Sequence, residues 1–507
     1  RASGETGDEM ADVELAWTSA WRLRELIGSG EISPVEVIDS CLARIEAIEP
    51  HLHSLVTVDA EQARAQAKVA ADAVTKRQPL GPLHGVPVAL KDELWTQGIA
   101  STGGSALFSR FVPTRDGTVA ERLRAAGAII VAKSALPEFA TWPRTKTRLG
   151  PETVNPWDDQ RIPGASSGGS AAAVAAGLFP IAIGSDGGGS IRIPSALCGV
   201  FGMFPTPGSV PCYGSFSYAT GGSMGPITRD VRDAALVHAV IAGPDDRDGW
   251  ALTTASVDPR RTLDDGVAGV RIGWSRDFGR VIVQSGIGEL VEQAVALLAS
   301  SGAQVDEIRT LIEHPWGEAE GMAMIQSVVE GQQWDDAWDP ADVPSTADEE
   351  AWLWSLFASG TPVLENERFR KFCLDHVDLL APNNKLLMSY SGPTDDPEAT
   401  ARYERMSLQL LGLLERYDVV CSPTMAVVAP LIPSGWAAPY ADSYMGTNFT
   451  FIANTLGCPA ASIPCGFVDG LPVAMQIIGR PGDEANVLRV CRAYEAARPA
   501  FPRPPLG

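Results

Sequence analysis

The sequence predicts an α/β fold, and two observations carry this prediction. Apolar residues make up 45% of the 507 residues, which is enough for a large buried core. From about residue 84, short apolar runs alternate with helical stretches, a rhythm typical of helices packed around a buried sheet. The predicted strands are GVPVAL (85–90), AGAIIVAK (126–133), FPIAIGSD (179–186), YDVVCSPT (417–424) and LPVAMQIIG (471–479), and the predicted helices are 118–127, 170–178 and 483–497.

The first eighty residues are predicted to be helical. Ser33 and Glu36 form a capping box around Pro34, which stands at the first helical position. Apolar residues then recur at helical spacing as far as Pro50, where we expect this helix to end. A second, alanine-rich helix is predicted over residues 60–76.

Charge and cysteine usage limit the kinds of partner. The net charge of −22 disfavours nucleic acid and anionic membrane surfaces, whose binding depends on Lys and Arg. No run of eighteen apolar residues predicts a membrane span, and the opening RASGETGDEMADVE lacks the order of a secretion signal. We therefore expect a cytoplasmic protein with reduced cysteines and no metal site. The eight cysteines, none in a CxxC pair, are 41, 198, 212, 373, 421, 458, 465 and 491.

One serine lies in a motif that suggests a histidine-dependent hydrolase. Residues 164–168 fit G-x-S-x-G, the nucleophile elbow of α/β-hydrolases, with Ser166 as the nucleophile. Such an enzyme also needs an acid and then a histidine downstream, and His238, His314 and His376 are available. An elbow requires a strand before the serine, however, and this one follows a proline-containing loop. This interpretation is kept as an alternative.

A second serine follows three glycines. A predicted strand at 181–183 leads into Gly187, Gly188, Gly189 and Ser190. Consecutive glycines allow their N–H groups to converge, as a tetrahedral oxyanion requires, and Ser190 could attack a carbonyl held there. A phosphate-binding loop is disfavoured because GxxxxGK[ST] is absent. A tight structural turn remains the alternative.

A lysine is the candidate base for this serine. Lys91 ends the apolar run at 85–90, and buried lysines are rare unless they are paired or functional. Burial disfavours the ammonium form and lowers the pKa, so a buried lysine can act as a base near neutral pH. The alternative is a lysine whose head reaches the surface and pairs with Asp92 or Glu93.

Long blocks around these residues resemble the amidase signature family, which uses a Ser–Ser–Lys triad. The resemblance covers nearly the whole chain. The blocks are LHGVPVALKDELWTQGIASTGGS (83–105), GAIIVAKSALPEFA (127–140), PGASSGGS (163–170), SDGGGSIRIP (185–194), GPITRDVRDAALVHAVIAGPDDRD (225–248) and GLPVAMQIIGRPGDEANVLRV (470–490).

The resemblance implies a role for each candidate. Ser190 corresponds to the acylated nucleophile, Ser166 to a bridging serine that follows a cis peptide bond, and Lys91 to the general base. Residues 187–190 correspond to the oxyanion hole. The family fold is a central mixed, twisted β-sheet covered by helices on both faces, and neither a metal nor an organic cofactor is implied.

Further residues have supporting roles by the same resemblance. Asp186 and Arg192 flank the glycine loop and are expected to anchor it through charge-assisted hydrogen bonds. Ser167 and Ser170 can donate within the same network, but an N-cap of a helix is the favoured role for one of them.

The same resemblance implies how the chain is organised. We expect a single amidase-signature domain over residues 1–507. N-terminal helices occupy 10–80, the catalytic core 81–245, and the C-terminal part of the core 416–500. Region 300–415 is variable and predicted to be mainly helical, either as a substrate-side wall or as a surface insertion.

The substrate pocket departs from the family pattern. Phe204 replaces a lysine of the family, and Ala140, Thr141 and Trp142 are predicted to approach the acyl group. Together with the tryptophans of 334–354 they suggest a pocket that accepts aromatic groups, although aromatic residues are more often part of a core.

These observations predict a hydrolase that cleaves the C–N bond of a neutral N-aryl or N-alkyl amide, or of a carbamate. The chain resembles family members of the aryl acylamidase, nylon-oligomer hydrolase and urethanase types. The expected partner is a small-molecule substrate, and the expected state is a monomer or homodimer. The alternatives are the catalytic component of a tRNA-dependent amidotransferase and a non-catalytic relative.

Overall fold

A computed structural model describes residues 15–216, 221–254, 257–313, 337–344, 350–355, 363–382, 384–385, 397–434 and 448–506. These residues form one sheet of eleven strands and twelve α-helices. The strands are β1 (Leu55–Val58), β2 (Pro87–Lys91), β3 (Ile129–Ser134), β4 (Ile181–Asp186), β5 (Phe201–Phe204), β6 (Ser223–Thr228), β7 (Arg271–Trp274), β8 (Gln304–Glu307), β9 (Val419–Pro423), β10 (Ala460–Val468) and β11 (Leu471–Ile478). The helices are α1 (Ala20–Ser29), α2 (Pro34–Leu52), α3 (Ala60–Thr75), α4 (Thr118–Ala125), α5 (Gly168–Ala175), α6 (Arg192–Cys198), α7 (Val231–Ile241), α8 (Ile287–Ser300), α9 (Glu367–Asp375), α10 (Pro397–Arg416), α11 (Phe451–Thr455) and α12 (Glu484–Ala497).

The sheet is mixed, as the family resemblance implied. Its strand order is β1-β3-β2-β4-β6-β5-β10-β11-β9-β7-β8. Strand β2 runs parallel to both β3 and β4, with Val88 opposite Ile181 and Leu90 opposite Ile183. The carboxyl ends of β2 and β4 therefore meet at one edge of the sheet, the place where open α/β sheets carry their sites.

Helices cover both faces of this sheet, which confirms the predicted fold class. Side chains alternate between the two faces of a strand, and both faces of β2 are apolar. Val88 and Leu90 pack with α1, α4 and α7, whereas Ala89 packs with α2, α3 and α5. Of the described helices, none is long and apolar enough to cross a membrane.

The predicted capping box is present, but the helix it begins runs further than predicted. Ser33 accepts from the backbone of Val35, and Glu36 accepts from the backbone of Ser33. Helix α2 continues through Pro50 to Leu52. Proline lacks the N–H that position 50 would donate to the carbonyl of Glu46, but Leu52 is buried in the core, which favours the extra turn despite this loss.

Region 300–415 is not wholly helical. It contains β8, which pairs in parallel with β7 and forms an edge of the sheet. The described part from 337 to 380 packs on the first half of the chain through an aromatic cluster. We define this aromatic cluster as Trp95, Phe108, Phe111, Phe139, Phe216, Trp354 and Phe369. His314 and Trp334, both named in the sequence predictions, lie outside the described residues.

Candidate active site

Lys91 is the last residue of β2 and is completely buried. Its Nζ donates to Ser166 Oγ at 2.7 Å and to Ser185 Oγ at 2.8 Å. Glu93 Oε1 lies 3.4 Å from the same nitrogen. The side chain therefore does not reach the surface, and its contact with Ser166 is the one implied by the family resemblance.

The protonation state of Lys91 reflects two opposing influences. Burial lowers the pKa of Lys91, while the carboxylates of Glu93 and Asp186 act to raise it. Burial prevails, so the neutral amine is accessible at lower pH than for a lysine in water. A neutral amine within hydrogen-bond distance of a hydroxyl can accept its proton.

The two serines lie on adjacent backbone segments. Ser166 precedes α5, is 1% exposed, and follows a cis peptide bond from Ala165. Ser190 precedes α6 and is half-buried. The backbone N–H of Ser167 donates to the carbonyl of Ser190 at 3.0 Å, which joins the two segments. Of Lys91, Ser166 and Ser190, only Ser190 has substantial access to solvent, as a residue that attacks a substrate must.

Asp186 anchors the glycine loop through hydrogen bonds to its backbone and through an ion pair with Arg192. Its carboxylate accepts from the backbone N–H groups of Gly189 at 2.6 Å and Ile191 at 3.2 Å, and from Arg192 Nε and Nη2, each at 2.9 Å. Burial alone would raise the pKa of Asp186, but Arg192 and these hydrogen bonds hold it below its usual value. Asp186 is therefore a buried anion that fixes the shape of the loop.

One member of the predicted oxyanion hole is already occupied. Because the N–H of Gly189 donates to Asp186, it is not available to a substrate oxygen, and the prediction for Gly189 is wrong in this conformation. The N–H groups of Gly187, Gly188 and Ser190 have no acceptor among the described residues. These three donors remain for an oxyanion.

Gly189 has a different reason to be glycine. Its φ is +129°, and a Cβ there would overlap Thr450 Oγ1, whereas a Cβ on Gly187 would meet open space. We expect Gly189→Ala to destabilise the protein by about 1–3 kcal/mol. Gly187→Ala is the matched control and should leave the unfolding midpoint in urea almost unchanged. Equal midpoints for the two variants would contradict this account of the loop.

Several residues of the site escaped the sequence analysis because they come from the far end of the chain. Arg192 donates to Thr450 O at 2.7 Å, Gln476 Oε1 at 2.8 Å and Asn454 Oδ1 at 2.5 Å. Asn454 also donates to Asp186 at 3.0 Å. Only pairing of β10 with β5 and β11, invisible in one sequence, brings this segment beside the glycine loop.

Ser185 also escaped the sequence analysis, although a signal existed. It lies in β4, which pairs in parallel with the end of β2, so it stands beside Lys91. Ser167 occupies the N-cap position of α5 without a capping hydrogen bond; its hydroxyl instead donates to the carbonyl of Ser185 at 3.1 Å. Ser170 exchanges a hydrogen bond with Ser134 at 2.6 Å, so network roles prevail for both serines.

The predicted pocket residues separate into two groups. Ala140 and Thr141 are half-buried, and Thr141 donates to Asn384 Oδ1 at 2.9 Å. Glu138 accepts from Asn384 Nδ2 at 2.9 Å, so the 381–384 segment is attached beside these residues. Phe139, which stands between Glu138 and Ala140 in the sequence, belongs to the aromatic cluster. Ala140 and Thr141 therefore remain candidates for a wall of the pocket.

Trp142 and Phe204 are placed differently. Trp142 is 7% exposed and Phe204 is 0% exposed, and the Arg192 guanidinium lies 4.8 Å from the centre of the Phe204 ring. The Phe204 ring thus packs against the Arg192 guanidinium and does not line an open pocket. The sequence prediction for Phe204 is wrong because this last residue of β5 is buried in an apolar cluster with Phe449 and Ile452.

Nothing in the described residues supports a histidine-dependent mechanism. Residues 162–167, before and around Ser166, are not a strand, so the elbow geometry is missing. His238 is fully buried in α7, and burial lowers its pKa. The ring of His376 bonds the carbonyl of Phe372 at 2.9 Å, at the end of α9.

A mixed sheet covered on both faces, with a buried lysine, two serines and an anchored glycine loop at one edge, defines the class expected from the sequence. The chain belongs to the amidase signature family, and the Amidase family model matches residues 36–488. Membership supports an amide-hydrolysing enzyme. The family prediction and the fold prediction are both confirmed.

The names of the similar proteins point to different activities. A glutamyl-tRNA(Gln) amidotransferase subunit of Moorella thermoacetica is 35% identical over 499 residues, covering 95% of this chain and 97% of the relative. A bacterial aryl acylamidase of the amidase signature family superposes with a TM-score of 0.78 at 28% identity, covering 96% of this chain and 97% of that chain. The peptide amidase of Stenotrophomonas maltophilia superposes with a TM-score of 0.78 at 26% identity, covering 96% of this chain and 98% of that chain.

Proposed function

We propose that this protein hydrolyses the C–N bond of a neutral carboxamide or carbamate through an acyl-enzyme on Ser190. The observation that carries the proposal is the 2.7 Å hydrogen bond from Lys91 Nζ to Ser166 Oγ, at a lysine with no exposed surface. A lysine in this environment is an unusual structural element but a suitable base.

The proposed mechanism uses only groups of the protein and one water molecule. Neutral Lys91 takes the proton of Ser166, which takes that of Ser190, while Ser190 Oγ bonds to the substrate carbonyl carbon. The N–H groups of Gly187, Gly188 and Ser190 stabilise the oxyanion. The proton then returns through the same relay to the leaving nitrogen as the C–N bond breaks. Water releases the acyl group by the same route.

The proposed substrate class is an N-aryl or N-alkyl amide, with carbamates included because their carbonyl presents the same geometry to the loop. Support for an aryl group comes from the 28% identical aryl acylamidase rather than from the aromatic cluster, whose rings are packed against one another. The half-buried Ala140 and Thr141 are proposed to border the acyl group. A monomeric or homodimeric state remains a prediction.

Two substrates with one leaving group test this function. The purified chain alone should release 4-nitroaniline from N-acetyl-4-nitroaniline, and from the ethyl carbamate of 4-nitroaniline. Absorbance measures both reactions, so the ratio of kcat/KM values compares amide with carbamate directly. Release from neither substrate, with folded protein, would overturn the proposal.

The second candidate is a component of an amidotransferase, favoured by the 35% identity to the glutamyl-tRNA(Gln) amidotransferase relative. Such a component is expected to need partner proteins and contact with RNA, and the net charge of −22 disfavours RNA. Hydrolysis of glutamine but not of the anilides, with stimulation by tRNA-bound partners, would favour this candidate.

Turnover should fall as the pH is lowered. Protonated Lys91 cannot accept a proton from Ser166, and burial places the pKa of Lys91 below its usual value. The acid limb of kcat/KM should therefore follow one protonation of the free enzyme. A rate that is flat from about pH 5 to 9 would contradict a lysine base.

A further inference from the structure

Glu93 is held beside Lys91 by a tight turn. The N–H of Leu94 donates to the carbonyl of Lys91 at 2.9 Å, and the carbonyl of Glu93 accepts from Phe216 N at 3.2 Å. The turn returns the Glu93 side chain to the lysine, where its Oε1 lies 3.4 Å from Nζ. Both side chains are fully buried.

The carboxylate of Glu93 differs from the other buried carboxylates near the site. Neither of its oxygens has a hydrogen-bond partner among the described residues. Asp186 accepts from several donors, and Asp92 accepts from the hydroxyl and backbone N–H of Thr102. Burying a carboxylate without hydrogen bonds is unfavourable, and this cost falls when the adjacent Lys91 becomes an ammonium.

We propose that Glu93 is a positioning residue that stabilises the ammonium Lys91 becomes when it takes the proton of Ser166. This inference rests on the proposed function. The proton moves from Ser190 Oγ to Ser166 Oγ and from Ser166 to Lys91 Nζ, and the Glu93 carboxyl group takes no part in the transfer. A positive charge thus appears 3.4 Å from the Glu93 carboxylate, where a low-polarity interior strengthens the attraction. The carboxylate serves the lysine as the aspartate of a Ser-His-Asp triad serves its histidine.

The other charged groups around Lys91 are already paired. Asp186, which closes β4, is bound to Arg192 from α6. Asp92 lies 3.7 Å from Lys133 of β3, and burial raises the pKa of Asp92 to about 6 and lowers the pKa of Lys133 to about 8.

Cys212 also faces this region. Burial, Asp248 and Glu93 all raise the pKa of its thiol, so it is uncharged. Glu93 raises the pKa of Lys91 more than Asp186 does. Glu93 is therefore the acidic group expected to govern the charge on Lys91.

Glu93→Gln tests the proposal because it removes the charge and keeps the shape. Without the carboxylate the ammonium is less stable, so the pKa of Lys91 falls and the acid limb of kcat/KM should move by about one pH unit or more to lower pH. The base is then weaker, so kcat on the plateau should fall by about tenfold or more, with KM little changed. A purely structural role would lower activity at every pH and leave the limb in place, which would overturn the proposal.

Asp92→Asn is the matched control. It neutralises the adjacent buried carboxylate, whose nearest cation is Lys133 rather than Lys91. Its acid limb should coincide with that of the wild type. An equal shift in both variants would indicate a general effect of net charge and would overturn the specific role of Glu93. If Glu93→Gln does not fold, Glu93→Asp moves the carboxylate away from Lys91 by one methylene. An acid limb of kcat/KM at the wild-type position in Glu93→Asp would then overturn the proposal.

A second measurement separates this proposal from the proposed function. A fluorophosphonate reacts with an activated serine: the bond from Ser190 Oγ to phosphorus forms, fluoride leaves, and the relay accepts the proton. Intact mass gives the labelling rate against pH without any amide substrate. Wild-type labelling without anilide hydrolysis would remove the proposed substrate class but not this inference. A labelling profile unchanged in Glu93→Gln would remove the inference whatever the substrate.

Discussion

Ser190→Ala should lower kcat/KM for 4-nitroanilide hydrolysis by on the order of 10⁴-fold or more. The substitution removes the only atom that is proposed to bond to the substrate carbon, while Lys91 and Ser166 keep their hydrogen bond. Residual rate would come from binding and the N–H groups of the glycine loop alone. Release of 4-nitroaniline, corrected for the uncatalysed reaction, gives the ratio, and intact mass after fluorophosphonate treatment should show no adduct.

The controls for Ser190→Ala are histidines. His376→Gln changes a residue at the end of α9 whose ring bonds the Phe372 carbonyl, and turnover should remain within a few-fold of the wild type. His314→Gln tests a second histidine of the sequence alternative. A histidine variant as inactive as Ser190→Ala, while still folded, would replace the lysine relay by a histidine mechanism.

The parts of the fold that the sequence predicted are those with strong local signals. Strands β2, β3 and β4 are continuous apolar runs, and α2 begins at a capping box. Strands β5 and β7 are four residues long, too short for a period to appear, and β8 is mostly exposed. Strand β10 lacked a recognised signal because Pro464 and Gly466 interrupt it at a bulge.

The same division between local and distant signals holds for the site. Lys91, Ser166 and Ser190 were found through blocks of contiguous sequence. Asn454 was not, because its contact with Asp186 joins residues 268 positions apart, and one sequence carries no information on such pairs. The sequence indicates Glu93 only as an alternative partner that would keep Lys91 at the surface. The structure shows that a lysine can contact a carboxylate and remain buried.

Arg192→Met should destabilise the protein by about 3–5 kcal/mol at neutral pH. Arg192 is fully buried, and its loss leaves the Asp186 carboxylate without its cation and leaves Gln476 and Asn454 without their donor. Urea unfolding gives the free energy. The matched control is Arg276→Met, since Arg276 forms its ion pairs at the surface with Glu289 and Glu292, and its unfolding midpoint should stay within experimental error.

The pH dependence shows whether the uncompensated charge is the cause. In the wild type the pKa of Asp186 is lowered, so its ionisation stabilises the fold above the pKa of the unfolded chain, and this contribution is lost as the pH falls. In Arg192→Met, Arg192 no longer opposes the effect of burial, so the pKa of Asp186 rises. As the pH is lowered, Asp186 is protonated and the unpaired buried charge that destabilises the variant disappears. The difference in unfolding free energy between the two proteins should therefore shrink from neutral pH towards about pH 4. A constant difference would attribute the loss to packing around Arg192 instead.

Removing both charges separates the two causes further. Asp186→Asn combined with Arg192→Met leaves no buried ion in this pair, so the double variant should be more stable at neutral pH than Arg192→Met alone. Its activity should nevertheless stay low, because an amide can no longer accept from Gly189, Ile191 and a guanidinium together, and the loop loses its fixed shape. Recovered stability without recovered turnover would assign the Asp186–Arg192 pair to the geometry of the Gly187–Ser190 donors. Full recovery of both would show that the loop holds its shape without the pair.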